Sequence, residues 1–124
     1  MRYMMIVKSD ENFTASGPPP RELFEGIDKL GQEARKSGKM VLFGGLQHTS
    51  KGASVRIRGG KLVVTDGPFT EAKEVIGGFT IFNLASKEEA IAEARKFMEL
   101  HLELWPGWEG DCEIRQMYDG DERP

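Results

Sequence analysis

The sequence predicts an α+β domain in which two helices pack on one face of an antiparallel sheet. The expected order is the ferredoxin-like β-α-β-β-α-β, with a β-hairpin inserted after the second strand. Two stretches repeat apolar residues every three to four positions, as amphipathic helices do, and short apolar runs flank both of them. With 124 residues, 39% of them hydrophobic, we expect one domain over residues 1–124 and a polar tail over about 119–124.

The first part of the chain predicts a strand, a helix and a second strand. Arg2–Val7 is short, apolar and followed by polar residues, as strands are. The helix is expected to open near Pro20 and to stop at Gly38, because proline suits a first helical turn and glycine a helix end. Met40–Leu46 is a continuous apolar run closed by glycines, which favours a buried strand. The apolar stripe of the helix comprises Leu23, Phe24, Ile27, Leu30 and Ala34.

A hairpin is predicted next. Ser54–Arg58 alternates apolar and basic residues, and Lys61–Thr65 is the expected partner strand. Gly59 and Gly60 lie between them and supply the positive φ angles that a type I′ turn requires. Residues 71–74 form a short polar link to the next strand.

The last third predicts a strand, a helix and a final strand. Phe79–Leu84 is the expected strand, and Gly77 and Gly78 precede it. Ser86 and Glu89 have capping-box spacing, so the second helix is expected from Lys87 to about residue 104. Cys112–Met117 is the last predicted strand.

Apolar residues on both faces of the strands imply that the second face of the sheet is covered. The chain has no spare helix for this purpose, and another subunit is the simplest cover. We therefore expect a homodimer whose large hydrophobic interface includes part of Met40–Phe43 and of Phe79–Phe82.

Composition excludes several classes of protein. No apolar stretch approaches the roughly 20 residues of a membrane span, and the N-terminal apolar run is too short for a signal peptide. The net charge of -3 argues against direct nucleic-acid binding. Residues 35–61 contain seven basic residues and no carboxylate, which indicates either a solvated hairpin face or a lobe that attracts a small anion or an acidic partner.

Cysteine, metal and cofactor signals are weak. A single cysteine, Cys112, excludes a disulfide framework, and no Cys/His cluster has zinc spacing. No phosphate-binding glycine loop and no haem or flavin motif is recognised. We expect a cytoplasmic protein without a metal or a cofactor.

The most distinctive segment is Asp66–Phe69, with the sequence Asp-Gly-Pro-Phe. Together with the following Thr70–Glu74 and Gly77–Phe79, it resembles the signature of the YCII-related "DGPF" proteins. The opening Arg2–Met5 and the predicted hairpin are similar to the same family. The resemblance covers nearly the whole chain, and the ending, from residue 98 to residue 117, is similar to one subgroup.

The resemblance implies a dimeric α+β barrel, in which two ferredoxin-like sheets pack face to face. It implies no established reaction, although an Asp/His pair has been proposed as an active site in the wider YCII group. Related genes often neighbour or fuse to genes for extracytoplasmic-function sigma factors. The resemblance therefore suggests two functions: a cofactor-free small-molecule enzyme with an Asp/His acid–base pair, or a non-enzymatic small-molecule-binding or regulatory module linked to such sigma factors.

Three residues are the catalytic candidates. Asp66 lies at a predicted strand end, where it either holds the turn through backbone N–H groups or faces a pocket. His101 shares a helix face with two aromatic residues, so it is either an aromatic-shielded histidine bonded to a backbone carbonyl or an acid/base group oriented by Asp66 or Glu71. His48 lies in a polar loop and is either solvated or at the rim of a pocket.

Four residues are ligand-binding candidates. Phe69 and Glu71 belong to the signature segment. Trp105 and Trp108 flank a Pro-Gly turn, where they either cap the core or stack on a planar ligand.

Overall fold

The computed structural model describes residues 1–13 and 17–120, and residues 121–124 of the predicted tail lie outside this part. The elements follow the predicted order. They are β1 (Arg2–Ser9), α1 (Arg21–Lys36), β2 (Met40–Gly45), β3 (Ala53–Arg58), β4 (Lys61–Asp66), β5 (Val75–Asn83), α2 (Lys87–Leu104) and β6 (Gly110–Gln116). A single 3₁₀ turn, Thr49–Lys51, precedes β3.

Four strands form the main sheet in the order β2-β5-β1-β6, and every neighbouring pair is antiparallel. With one helix after β1 and another after β5, this is the ferredoxin-like α+β fold, and the predicted fold class is confirmed. Neither α-helix of the described residues has an apolar stretch long enough to cross a lipid bilayer.

The core lies between the helices and one face of the sheet. Tyr3 and Met5 of β1 are buried there, and their cross-strand partners Phe82 and Thr80 on β5 share this face. The two helices approach closely at Gly26, where an added Cβ would lie 3.1 Å from the Leu100 side chain. The other buried apolar residues are Leu23, Ala34, Leu84, Ala90 and Ala94.

Both predicted local signals near the second helix and the hairpin are confirmed. The Ser86 hydroxyl accepts a hydrogen bond from the Glu89 N–H at 3.2 Å, while the Glu89 carboxylate accepts one from the Ala85 N–H. Gly59 and Gly60 have φ angles of 56° and 78°, as a type I′ turn needs. The hairpin of β3 and β4 forms a separate two-stranded sheet.

The start of β5 differs from its prediction. The strand begins at Val75, four residues before the predicted start at Phe79, and it includes Gly77 and Gly78. Gly78 lies inside the strand at a close approach, because a Cβ there would be 3.2 Å from the Gly44 carbonyl oxygen. Glycine here permits backbone contact across the sheet rather than ending the strand.

Candidate functional site

A polar cluster surrounds His48 in the loop that follows β2. The Nδ1 atom of His48 accepts a hydrogen bond from the Ser50 N–H at 3.1 Å. Its Nε2 atom lies 2.8 Å from the Asn12 Oδ1 and 3.6 Å from the Glu11 Oε2. Because the backbone N–H can only donate, the neutral ring carries its proton on Nε2 and donates it to Asn12. We call Glu11, Asn12, His48 and Thr49 the polar cluster.

Glu11 is the centre of the polar cluster. Its carboxylate accepts a hydrogen bond from the Thr49 N–H at 2.7 Å and a second from the Thr49 hydroxyl. Burial by itself raises the pKa of Glu11, but the two Thr49 hydrogen bonds, and the positive charge of His48 when that ring is protonated, outweigh it and leave the pKa lowered. Glu11 is therefore held as a carboxylate next to the imidazole.

The signature segment rests on the same threonine. The Phe69 N–H donates to the Thr49 hydroxyl at 2.9 Å, and the Gly67 N–H donates to the Gly52 carbonyl at 2.9 Å. A Cβ on Gly67 would lie 1.7 Å from the Thr49 carbonyl oxygen. The glycine of this segment is thus required by a close backbone approach, in addition to its place in a turn.

Asp66 and Glu71 lie on the exposed surface near this contact. Asp66 is the last residue of β4, opposite Ala53, and its side chain makes no hydrogen bond or ion pair within residues 1–13 and 17–120. The Glu71 side chain is also exposed. Within one protomer the structure does not join Asp66 to a histidine; the carboxylate beside His48 belongs to Glu11.

His101 lies in a different environment, among aromatic rings at the end of α2. It is 6% exposed, and its Nδ1–H donates to the Phe97 carbonyl at 2.9 Å. Its ring centroid is 4.6 Å from that of Phe97 and 4.5 Å from that of Trp108. We call Phe97, His101, Trp105 and Trp108 the aromatic cluster. The geometry is that of the aromatic-shielded, carbonyl-bonded histidine.

Burial lowers the pKa of His101, and the hydrogen bond to the Phe97 carbonyl opposes this only in part. The ring is therefore favoured in its neutral form. Trp105 and Trp108 stack with a centroid separation of 5.8 Å, and the buried Trp105 Nε1 has no hydrogen-bond partner among the described residues. The two tryptophans lie at the end of α2 and contact Phe13 and His101.

One loop connects the two clusters. Glu11 and Asn12 follow β1 and contact His48 and Thr49, whereas the next residue, Phe13, packs edge-on against Trp105 at 5.3 Å. A displacement of this loop therefore acts on both clusters.

A cavity of about 420 Å³ lies under α1, between this helix and strands β2 and β5. Its lining is mainly apolar and includes Phe24, Ile27, Met40, Phe82 and Phe97. Four glycines also line it, namely Gly31, Gly44, Gly45 and Gly77. At its rim the Arg35 guanidinium lies 4.8 Å from the Phe43 ring centroid.

A smaller pocket of about 220 Å³ adjoins this cavity. Glu11, His48 and Leu46 line it, and Gly77 lines both the pocket and the cavity. The polar cluster and the apolar cavity therefore adjoin at Gly77, which has no side chain to separate them. Apolar volume beside an oriented imidazole is an arrangement that can bind a small organic molecule and exchange a proton with it.

Sequence analysis did not identify Glu11, Asn12 or Thr49. All three are separated in sequence from the groups they bind, and nothing in their local pattern marks them. The one available signal was the position of Glu11, two residues after the end of the scaffold strand β1. Among the described residues, no group of three or more His, Cys, Asp or Glu side chains is arranged to hold a metal ion.

Comparison with known proteins identifies the family of the chain. The model of the YCII-related domain matches residues 1–99, which contain β1 to β5 and most of α2. An uncharacterized protein of Rhizobium meliloti (strain 1021) is 30% identical over 97 residues, which cover 77% of this chain and 78% of that protein. The residues matched by the family model include the polar cluster, the signature segment and the lining of the cavity under α1. The chain belongs to the family of YCII-related domains.

Proposed function

We propose that the protein binds a small, mainly apolar molecule in the cavity under α1. The observation that carries this proposal is the cavity itself. Its volume of about 420 Å³ lies within the roughly 300–1,000 Å³ of small-molecule sites. The space is open to solvent on one side and is bordered by aromatic and aliphatic side chains on the helix, the sheet and α2. An apolar molecule that fills it removes these side chains from water.

Gly31 supports the proposal because glycine destabilises the helix at this position and no close contact requires it there. An added Cβ would meet only the Met40 Cε atom, at an ordinary contact distance of 3.9 Å. Glycine inside a helix lowers stability by about 1 kcal/mol relative to alanine. The structure has room for a side chain at Gly31, and the glycine leaves this room free in the cavity for a ligand.

Arg35 indicates the polar group of the ligand. Its side chain is held over Phe43 at the rim and has no ion-pair partner among the described residues. Glu93, which also lines the cavity, is already paired with Lys39 at 3.4 Å and with Lys96 at 3.5 Å. A guanidinium binds a carboxylate in a planar, two-point contact. The proposed ligand is a small aromatic or aliphatic carboxylate.

The test is a thermal-shift screen of aromatic carboxylates together with the corresponding primary amides. We expect carboxylates to raise the melting temperature of the wild-type protein more than the amides do, because ligand binding stabilises the folded state. Gly31→Leu fills the cavity and should abolish the shift, whereas Lys29→Leu on the exposed side of the same helix should retain it. Equal shifts in the two variants would contradict the cavity as the site.

Arg35→Gln separates the charge from the cavity. The variant should bind carboxylates and amides equally, while the wild-type protein prefers the carboxylates. A preference that survives in Arg35→Gln would assign the charge recognition to another residue.

Proton transfer at His48 is a second candidate function. The observation that favours it is the hydrogen-bonded contact of His48 with Asn12 and Glu11 beside the smaller pocket. A histidine next to a carboxylate, in reach of a bound molecule, is a suitable general base or acid. In this function His48 replaces His101 as the catalytic histidine, and Glu11 takes the place of the aspartate.

Deuterium exchange into a bound carboxylate tests this function without knowledge of the substrate. Carboxylates that bind by thermal shift and also carry a C–H bond next to a ketone group are incubated in D₂O with the protein, and exchange of that C–H proton is followed by NMR. His48→Gln and Glu11→Gln should both stop an exchange that the wild-type protein catalyses. If only Asp66→Asn stops it, the catalytic carboxylate is Asp66.

The homodimer is proposed through the second face of the sheet. Met4, Ile6, Phe79 and Ile81 point away from the helices, because their neighbours in each strand are the core residues. Leu42 lies opposite Ile81 on β2 and is 54% exposed. On β6 this face carries Arg115 and Glu113, opposite Met4 and Ile6. Its apolar part, over β2, β5 and β1, supports face-to-face packing of two sheets.

Light scattering at micromolar concentration tests the assembly. The expected mass is twice the chain mass of 13.9 kDa, and Leu42→Lys should shift the protein towards the monomer, since it places a charge in the apolar contact. A wild-type monomer would contradict the homodimer. The link to extracytoplasmic-function sigma factors rests on the family resemblance alone and stays a prediction.

A further inference from the structure

Thr49 contacts both the polar cluster and the signature segment. Its hydroxyl donates a hydrogen bond to the Glu11 Oε2 and accepts one from the Phe69 N–H at 2.9 Å. Its backbone N–H donates to Oε1 of the same Glu11 carboxylate at 2.7 Å. One threonine therefore connects the loop after β1 with the segment after β4.

The donors and acceptors fix the direction of this connection. A backbone N–H can only donate, so the Thr49 oxygen is the acceptor towards Phe69. An ionised carboxylate can only accept, so the single hydroxyl proton of Thr49 is donated to Glu11. Hydrogen bonds in such a chain polarise one another and are stronger together than alone. The Phe69 N–H therefore strengthens the hydrogen bond that Glu11 receives.

The base of the hairpin holds the signature segment against Thr49. The Gly67 N–H donates to the Gly52 carbonyl, and the Gly52 N–H donates to the Thr49 carbonyl, both at 2.9 Å. A Cβ on Gly67 would lie 1.7 Å from the Thr49 carbonyl oxygen, so the two backbones are in direct contact. The position of the Phe69 N–H relative to the Thr49 hydroxyl is thus set by backbone groups.

We propose that Thr49 is a positioning residue through which the backbone of the signature segment orients Glu11 beside His48. For its part in a reaction, this inference rests on the proton-transfer function proposed above. Thr49 binds both oxygens of Glu11, and Oε2 is also the oxygen that lies 3.6 Å from the His48 Nε2. The segment acts here through the Phe69 N–H, and its action does not require the Asp66 side chain.

The charge of Glu11 reports on this arrangement. Burial raises the pKa of Glu11, whereas the two hydrogen bonds from Thr49 lower it. The charged group that acts on Glu11 is the His48 ring, which lowers the pKa further when it is protonated. Removal of the Thr49 hydroxyl should therefore raise the pKa of Glu11, an effect that a loss of packing alone would not produce.

The first experiment is a pH titration of the whole protein in which NMR follows the carboxyl carbon of Glu11. Thr49→Val removes the hydroxyl at nearly constant shape and should shift the pKa of Glu11 upward. Thr49→Ser keeps the hydroxyl and should retain the wild-type pKa. The same pKa in the wild-type protein and in Thr49→Val would overturn the inference, and so would a failure of Thr49→Ser to retain it.

Two glycine variants test the part played by the signature segment. Gly67→Ala forces a Cβ against the Thr49 carbonyl and displaces the Phe69 N–H, so the pKa of Glu11 should rise. Gly60→Ala is the matched control at the tip of the same hairpin, where a Cβ meets open space, and it should leave this pKa unchanged. Equal effects of the two variants would overturn the role of the segment.

The amide proton of Phe69 provides a measurement that needs no variant to fold differently. In the wild-type protein its chemical shift should change with the ionisation of Glu11, because the Thr49 hydroxyl joins the two groups, and Glu11→Gln should remove this change. A Phe69 amide that does not respond to Glu11 would overturn the inference.

Deuterium exchange separates this inference from the proton-transfer function. If the wild-type protein catalyses exchange, Thr49→Val should slow it at least about tenfold and Thr49→Ser should retain it. If the NMR titrations give the expected shifts but no bound carboxylate exchanges, the proton-transfer function is overturned and the orientation of Glu11 by Thr49 stands. Exchange that continues at the wild-type rate in Thr49→Val would overturn the positioning role alone.

Discussion

The two histidines show how differently one small fold uses the same side chain. His101 is buried, and its Nδ1–H donates to a backbone carbonyl between two aromatic rings. The His48 side chain is 38% exposed, and its Nδ1 instead accepts from a backbone N–H. The opposite tautomers follow from the backbone group that each ring meets. The buried histidine stabilises the core, whereas the exposed one has a carboxylate neighbour and an adjacent pocket.

A single loop contacts both regions. Glu11 and Asn12 contact the polar cluster and Phe13 contacts Trp105. Substitutions in the aromatic cluster should therefore reduce global stability. Substitutions in the polar cluster should affect the local attachment of the hairpin and the binding of ligands.

The largest expected effect comes from removal of the two histidine rings in turn. His101→Ala leaves a cavity between Phe97 and Trp108 and should lower the free energy of unfolding by about 3 kcal/mol. His48→Ala removes exposed hydrogen bonds and should lower it by less than about 1 kcal/mol. Urea denaturation followed by tryptophan fluorescence measures both values. Equal losses would contradict the assignment of a structural role to His101 alone.

The next effect concerns the two kinds of glycine near the hairpin. Gly67→Ala forces a Cβ into the Thr49 carbonyl and should cost about 2 kcal/mol or more. Gly60→Ala, at the hairpin tip, meets open space and should cost about 1 kcal/mol for its positive φ. Native-state hydrogen exchange of the hairpin amides distinguishes the two variants. A larger cost for Gly60→Ala would mean that the tip is part of an interface.

The pH dependence of stability should separate the clusters without any substitution. Burial lowers the pKa of His101 in the folded protein below its value in the unfolded chain. Between these two pKa values the unfolded chain therefore binds more protons than the folded protein. Stability is therefore full above the ordinary histidine pKa of 6.5 and decreases as the pH falls below it. Glu11 also has a lowered pKa, and its contribution is lost only as the pH falls below 4.5.

Denaturation midpoints measured between pH 8 and pH 3 check this order. His101→Phe should remove the loss that begins near pH 6.5, and Glu11→Gln should remove the loss that begins near pH 4.5. If Glu11→Gln removes the upper loss instead, the assignment of the two titrations is wrong.

The fold was predictable from sequence to a greater extent than the site. Helix periodicity, the capping residues around Ser86 and the Gly59-Gly60 turn are local signals, and the structure contains each of them. The start of β5 was missed because glycine has two uses that sequence does not distinguish, the end of a strand and a close backbone approach.

The polar cluster was missed for a different reason. Glu11 and Thr49 are 38 positions apart, and the hydrogen bonds that join them depend on the tertiary arrangement of two loops. His48 was identified as a candidate, but its partner depends on which carboxylate the fold brings within reach. Sequence alone favoured Asp66 because it belongs to the distinctive segment.

The smallest expected effect on stability is that of Asp66, and it decides what the signature segment does. A turn-holding aspartate would lose about 1–2 kcal/mol on substitution by alanine and much less by asparagine. Because the Asp66 side chain has no hydrogen bond within the described residues, we expect both variants to unfold within about 0.5 kcal/mol of the wild-type protein. Asp66 also lies on the same face of β4 as Leu62 and Val64. Urea denaturation and the carboxylate thermal shift, measured on the same samples, then give the answer. Unchanged stability with a lost thermal shift in Asp66→Asn would place Asp66 in the binding site together with His48, and a loss of 1–2 kcal/mol in Asp66→Ala would instead assign it to the turn.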